Sequence, residues 1–278
     1  MEKPLIILAT VVVSILAIII FNLIRSSIER RKTIKKLRSL EWSREHKKIN
    51  TSVYSSLPLP VRRYLQHVIR DGSEQIRFAT IKQRGRFRSL SQPTWGALRA
   101  ESNYTGTIPG MVWHAMISVS ALMKTSAQLL YNDGVGSGYV KYMGVFTLFD
   151  PKGKEVSFAL LARILMETVW FPTSLVPGGL LRWEPINDSS SKAILTNKGK
   201  SISAVFHFNE AGEVERVVTR DKYRDAETSY EREQCTMHCS AYKDFLGIKI
   251  PTHIRLEWNL EEQDFDYAEI TVTDAIFE

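Results

Sequence analysis

The stretch SFALLARILMETVWFP, Ser157 to Pro172, is the one internal segment that combines helical periodicity, strong apolarity and embedded charge. Phe158, Leu161, Ile164, Leu165 and Val169 follow the i, i+3, i+4 spacing of one helical face, and Leu160 and Met166 leave little polar surface elsewhere. A helix of this kind is expected inside the protein. Ser157 is the expected N-cap, and Phe171-Pro172 the expected stop, because a residue before proline is pushed out of the α region. Arg163, Glu167 and Trp170 put a cation, an anion and an indole N–H on one stripe. An unpartnered buried charge is costly, so each is expected to meet backbone or strand side chains as well. The stripe reads either as an architectural polar knot or as part of a binding site.

On both sides of this helix the period shifts to two, with β-branched and aromatic residues bounded by glycine, proline and asparagine. Strands are expected near 76–89, 94–105, 111–120, 126–132 and 137–147 before it, with turns at Pro109-Gly110 and Asn132-Asp133-Gly134. After it they are expected near 181–186, 193–196, 202–208, 214–220, 235–242, 248–260 and 265–277, with Asn209-Glu210-Ala211-Gly212 as a hairpin turn. About eleven strands joined by short turns imply an antiparallel sheet, and so large a sheet must curl. A short amphipathic helix, with Val61, Tyr64, Leu65 and Val68 on one face, is expected after Leu57-Pro58-Leu59-Pro60.

The apolar run Leu5 to Ile24 carries no charge and suits the roughly 20 residues that span a bilayer core. It reads as a transmembrane helix rather than a cleaved signal, being too long for an h-region and lacking a small-x-small site. Lys3 precedes the span, while Arg25, Arg30, Arg31, Lys32, Lys35, Lys36 and Arg38 follow it. The positive-inside rule therefore places the large domain in the cytoplasm. The same seven residues are expected to meet anionic lipid headgroups on a helix that hugs the membrane, or to sit on a solvated linker helix.

The fold class expected is α+β: an N-terminal transmembrane helix, then a large curled antiparallel β-sheet, half-barrel-like, wrapped around a central apolar helix. The expected divisions are a transmembrane anchor at 1–24, a basic juxtamembrane helix or linker at 25–56, and a single sheet domain at 57–278 with its central helix at 157–171.

The net charge of +7 suggests nucleic acid only until it is located. Residues 25–50 hold ten basic and three acidic residues, and residues 51–278 hold 26 of each, so the domain is neutral and no nucleic-acid partner is expected. Two cysteines make no disulfide framework.

Four candidate chemistries each have a plainer reading. Gly134-x-Gly136-x-Gly138 lacks the following helix that a phosphate loop requires and reads as a turn between strands. Cys235-x-x-His238-Cys239 lacks a fourth ligand at finger-like spacing, and in a strand its cysteines share a face too far apart to bridge, so no metal is expected. His114, His207 and His253 have no recognisable nucleophile beside them and read as structural. The aromatics spread over nearly every strand either fill a core or line an apolar cavity. No cofactor is expected.

Several spaced fragments together resemble an uncharacterised bacterial family of unknown function, often membrane-anchored, numbered 6544 and formerly 6920. They are Leu57-Pro58 with Val61 and Arg63-Tyr64-Leu65, Pro109-Gly110 with Trp113, Asp133 with Gly136 and Gly138, Arg163-x-Leu165-x-Glu167-x-x-Trp170-x-Pro172, Phe206-x-Phe208 with Gly212, and Gly247-x-x-Ile250-Pro251 with Trp258. The resemblance covers residues 57 to about 275 and implies domain extent without an activity. In fold alone, a curled sheet holding a helix is similar to periplasmic lipoprotein-carrier domains.

The leading functional expectation is a membrane-tethered binding module for a lipid or other hydrophobic ligand, anchored in the bilayer through residues 5–24. Trp113, Tyr142, Arg163, Glu167 and Trp170 are the expected ligand-binding residues, and no catalytic residues are assigned. The alternatives are a non-enzymatic scaffold at the membrane and a hydrolase-type enzyme with a site not visible as a motif.

Overall fold

The computed structural model describes residues 2–44, 49, 51–120, 123–225 and 229–278. The expected basic helix or linker over 25–56 therefore falls partly, at 45–48 and 50, outside the described residues.

The chain opens with helix α1 (Glu2–Trp42) and, after the linker, the short helix α2 (Leu59–Val68). Strands β1 (Phe78–Phe87), β2 (Gly96–Thr105), β3 (Met111–Ser118), β4 (Lys124–Asn132), β5 (Val135–Tyr142) and β6 (Phe146–Phe149) lead to helix α3 (Lys154–Glu167). The second run is β7 (Leu181–Asn187), β8 (Ser190–Asn197), β9 (Lys200–Phe208), β10 (Val214–Asp225), β11 (Tyr230–Phe245), β12 (Ile248–Asn259) and β13 (Asp264–Phe277). Among the described residues these thirteen strands form one sheet in the order β6-β5-β4-β3-β2-β1-β13-β12-β11-β10-β9-β8-β7.

That order explains why α3 is central. Strands β1 to β6 wind outward to one edge, and β7 to β13 start at the other edge and wind back until β13 pairs with β1 in the middle. The link from edge to edge is the segment holding α3, which lies across the concave face against β4 and β5 on one flank and β9 and β10 on the other. Alternation supplies the apolar inner face: Ile202, Ala204, Phe206 and Phe208 in β9, and Tyr104, Met111 and Tyr131 in β2 to β4, are buried against it. From the helix, Leu160, Leu161, Ile164 and Leu165 fill the same core. Irregular registers in β1, β10 and β12 add the curl that so wide a sheet needs.

Two expectations about α3 are corrected. The helix starts one turn earlier than Ser157, with Gly153 at φ 118° as its N-cap. The Ser157 hydroxyl instead donates to the Gly153 carbonyl at 2.8 Å and accepts from the Gly136 amide at 2.9 Å, tying the first turn to β5. At the other end the helix stops at Glu167, and Thr168–Trp170 and Pro172–Leu175 continue as single 3₁₀ turns. The expected strand over 137–147 is also two strands, parted by a turn with positive φ at Met143 and Gly144.

Helix α1 carries no glycine or proline between Leu5 and Trp42, and it runs unbroken through the expected boundary at 24/25. Its apolar first half is exposed on every described face, whereas its second half lies along the outer, convex face of the sheet. There Ile34 and Leu37 pack on Phe78, Val112 and Leu130, and buried Glu41 accepts from the Thr107 amide at 3.0 Å. Apolar burial thus holds this half of the helix on the domain.

Candidate functional site

The expected stripe on α3 does converge inside the sheet. Arg163 Nε donates to Glu167 Oε1 at 2.9 Å, and Tyr104 OH donates to Glu167 Oε2 at 2.7 Å. The guanidinium lies 4.5 Å from the centre of the Trp113 ring. Trp170 Nε1 donates to the Pro251 carbonyl at 3.2 Å, and Tyr104 stacks on Phe171 at 4.6 Å. The Glu167 side chain is 3% exposed and that of Arg163 16%. Burial works against the Arg163 charge, but the Glu167 carboxylate and Tyr104 outweigh it and hold its pKa above the ordinary value. Burial, with Glu167 beside it, pushes the Tyr104 phenol well up, so it stays a hydrogen-bond donor. Every charge in this group has a partner, as the cost of burial demands.

Trp113, Arg163, Glu167 and Trp170 are therefore brought together around Tyr104. Tyr142 is not among them: it ends β5 opposite Thr125 and Phe146. A second polar group, absent from the expectations, lies along the same inner face. Lys222 Nζ donates to Tyr267 OH at 2.5 Å, approaches Cys235 Sγ at 3.5 Å and sits over the Trp258 ring at 4.9 Å. Its members come from β10, β11, β12 and β13, so no sequence spacing joins them.

The open space lies on the adjoining face of the same helix. A cleft of about 210 Å³ is walled by Ile164, Leu165, Phe171, Val176, Leu181 and Leu195, with Ile49 and Val53 of the linker at its side. Four of its five hydroxyls are spent on backbone: Thr168 donates to Leu165 O at 2.6 Å, Thr105 to Ile108 O at 2.6 Å and Ser174 to Gly106 O at 2.7 Å, while Thr173 accepts from the Ile76 amide at 3.0 Å; the fifth, Thr107, is buried without a hydrogen-bond partner. What remains facing the cleft is largely methyl and methylene surface. Sequence reading missed it because the walls come from one end of α3, the linker, the β2–β3 turn and residues 176–181, and the one available signal was the helical face Ile164, Leu165, Thr168, Phe171.

The remaining candidates separate cleanly. Gly134 makes a turn between strands, while Gly136 and Gly138 let backbone approach: a Cβ on Gly136 would stand 2.8 Å from Ser157 Cα. Cys235 and Cys239 point into the core, and His238 faces Glu257 on the other side of the strand at 3.1 Å. His114 lies on the convex face, half-buried, where desolvation and the nearby Arg30 lower its pKa to about 4. Of the seven basic residues after the apolar run, Arg25, Arg31, Lys32, Lys35, Lys36 and Arg38 are exposed. Arg30 is half-buried against the sheet, and Arg38 pairs with Glu278 while lying over the Trp42 and Phe78 rings.

These features define an antiparallel half-barrel closed by an internal helix, with an apolar helix ahead of it long enough to cross a membrane and an apolar cleft at one end. The chain belongs to the family described as Family of unknown function (DUF6920), whose model matches residues 55–277 and carries the older of the two numbers expected. A search of curated proteins returns no significant match. Among solved structures the chain is similar to a domain described as that of an outer membrane lipoprotein-sorting protein from Vibrio parahaemolyticus, at 11% identity and TM-score 0.42 over 82% of this chain and 92% of that one. It is also similar to a DUF1329 family protein from Desulfovibrio piger, at 12% identity and TM-score 0.43 over 84% and 94% of the two chains. A LolA superfamily protein from Nitrosomonas europaea is similar at 14% identity and TM-score 0.42, over 79% and 92%.

Proposed function

We propose that this chain is a membrane-tethered binding module that holds a lipid tail or other hydrophobic ligand in the cleft beside α3. The observation that carries the reading is the cleft itself: apolar walls, with every lining hydroxyl but that of Thr107 already bonded to backbone, suit a ligand that brings few hydrogen bonds. In this reading Ile164, Leu165, Thr168 and Phe171 touch the ligand. Arg163, Glu167 and Trp170, anchored to Tyr104, Trp113 and Pro251, act as positioning residues that keep that helical face turned to the cleft. In this reading the tether is α1, and the basic residues after Ile24 favour the cytoplasmic side for the domain.

The test uses the full chain reconstituted in phosphatidylcholine vesicles with a photoreactive fatty acid, the crosslinked residues being mapped by mass spectrometry of peptides. Crosslinks are expected on 164–181, and Val176→Trp, which fills the cleft from its half-buried rim, should lower them about tenfold without lowering thermal stability. Crosslinks confined to residues 5–24 would refute the cleft as the binding site.

A further inference from the structure

The second half of α1 serves as a ruler along the sheet. Glu41 meets Thr107 at one end of the strands, Leu37 meets Val112 and Phe78, Arg30 faces His114, and Leu23 reaches the β5–β6 turn at the other end. The last contact is close: a Cβ on Gly144 would stand 2.5 Å from Leu23 Cδ2. Leu23 belongs to the final turn of the apolar run, so the β5–β6 turn lies at the level where that run would leave a bilayer.

The surface at this level is unusual for a face exposed to water. All four residues of β6 are exposed, with Phe146 at 65% and Leu148 at 61%, and Phe149, Met143 and Met123 are exposed beside them. Strand β6 is also a sheet edge, so its outer backbone groups lack a strand partner among the described residues. An apolar open edge is a standing liability for aggregation unless something covers it. Immediately behind it, between α1 and the outer face of β4 and β5, lies a polar hollow that includes Arg25, Tyr139 and Lys141, with Lys141 Nζ 4.6 Å from the Tyr139 ring. Apolar side chains flanked by tyrosine and long cationic side chains reproduce the depth profile of a membrane interface.

We infer that the β5–β6 hairpin is a second membrane contact: Phe146, Leu148 and Met143 enter the interfacial layer of the bilayer that α1 spans, and Arg25 and Lys141 meet the headgroups above them. The domain is then docked on the membrane at two points and has a fixed stance. The opposite end of the sheet, with the cleft and the Thr105–Pro109 turn, faces away from the lipid, roughly 25 Å further on by the rise of α1 between Ile24 and Glu41. The inference rests on the tether reading of α1, and its test separates the two.

Nitroxide labels are placed by Phe146→Cys, Leu148→Cys, Leu246→Cys and Leu16→Cys in the full chain, reconstituted in phosphatidylcholine and phosphatidylglycerol vesicles. The native Cys235 and Cys239 are buried and out of reach of the reagent. Leu246, 95% exposed in the β11–β12 turn at the far end of the sheet, is the water reference, and Leu16 is the membrane reference. Collision with oxygen against a water-soluble nickel complex reports depth. Labels at 146 and 148 are expected to favour oxygen as the label at 16 does, with 246 favouring nickel. Labels at 146 and 148 that match 246 while 16 remains lipid-exposed would overturn the hairpin contact and leave the tether standing. A water-exposed label at 16 would overturn both. Labels at 146 and 148 shielded from both reagents would mean that a second copy pairs on β6, and would likewise overturn the contact.

Discussion

Glu167 has one oxygen on Arg163 and the other on Tyr104, and this sharing sets what each substitution should cost. Arg163→Met would leave a buried carboxylate with Tyr104 alone, and such half-pairs typically cost about 3–5 kcal/mol. Arg163→Met together with Glu167→Leu removes both charges and should recover most of that loss, leaving Tyr104 OH as the group without its partner. Equilibrium unfolding of the full chain in urea measures both; if the single and double variants are equally destabilised, the pair is not the unit described here. The stripe that forms this pair was legible from the spacing of Arg163, Glu167 and Trp170, as was the requirement for outside partners. Tyr104 was not, because a residue 63 positions away enters through strand pairing. Tyr142 was misplaced for the same reason: alternation gives a face, and the face of β5 extends beyond the helix that covers its other half.

Elements were read more securely than their ends. Period-two alternation located most strands, and the apolar 3.6 period located α3, because burial on one face constrains every second or every third to fourth residue. The errors fell where local chemistry has two uses. Ser157 offers a capping hydroxyl, yet Gly136 in β5 leaves room for the first turn of α3 to come down on it, and the hydroxyl bridges them instead. The Met143 turn gave no asparagine or aspartate signal. For α1, the change from apolar to basic composition suggested a division that helix propensity does not recognise. The docking of its second half carries a pH dependence. His114 has its pKa depressed to about 4 by burial and by Arg30. The unfolded or undocked chain, near 6.5, takes up the proton first, so this contribution is complete above pH 6.5 and is lost as the pH falls toward 4. Amide protection factors over residues 25–42, corrected for the intrinsic pH dependence of exchange, are expected to fall across that window, and His114→Gln should flatten the response. An unchanged profile in that variant would exclude His114 as its source.

At the scale of the molecule, the fold class followed from arithmetic on strands and one helix, while the cleft did not, since its walls meet only through the curl of the sheet. Orientation is the whole-molecule property that the proposed tether and the charge pattern bear on most directly. Trypsin added to sealed right-side-out vesicles from expressing cells is expected to leave residues 57–278 intact until the vesicles are opened. Digestion in sealed vesicles would place the domain on the outer side and set aside the cytoplasmic assignment.

The pairing of β1 with β13 has a consequence for how the protein is made. Lys82 and Asp274 form an ion pair at 2.9 Å although 192 positions apart, and every residue between them must be synthesised before that contact exists. A ribosome delivers α1 and the first run of strands before the second, so β1 stays open while β7 to β13 emerge. Until β13 closes the gap, the molecule is two partial sheets, each presenting a bare central edge. Truncation within residues 264–277 would thus leave a chain with its middle unsealed, a form that proteolysis can distinguish from the finished one.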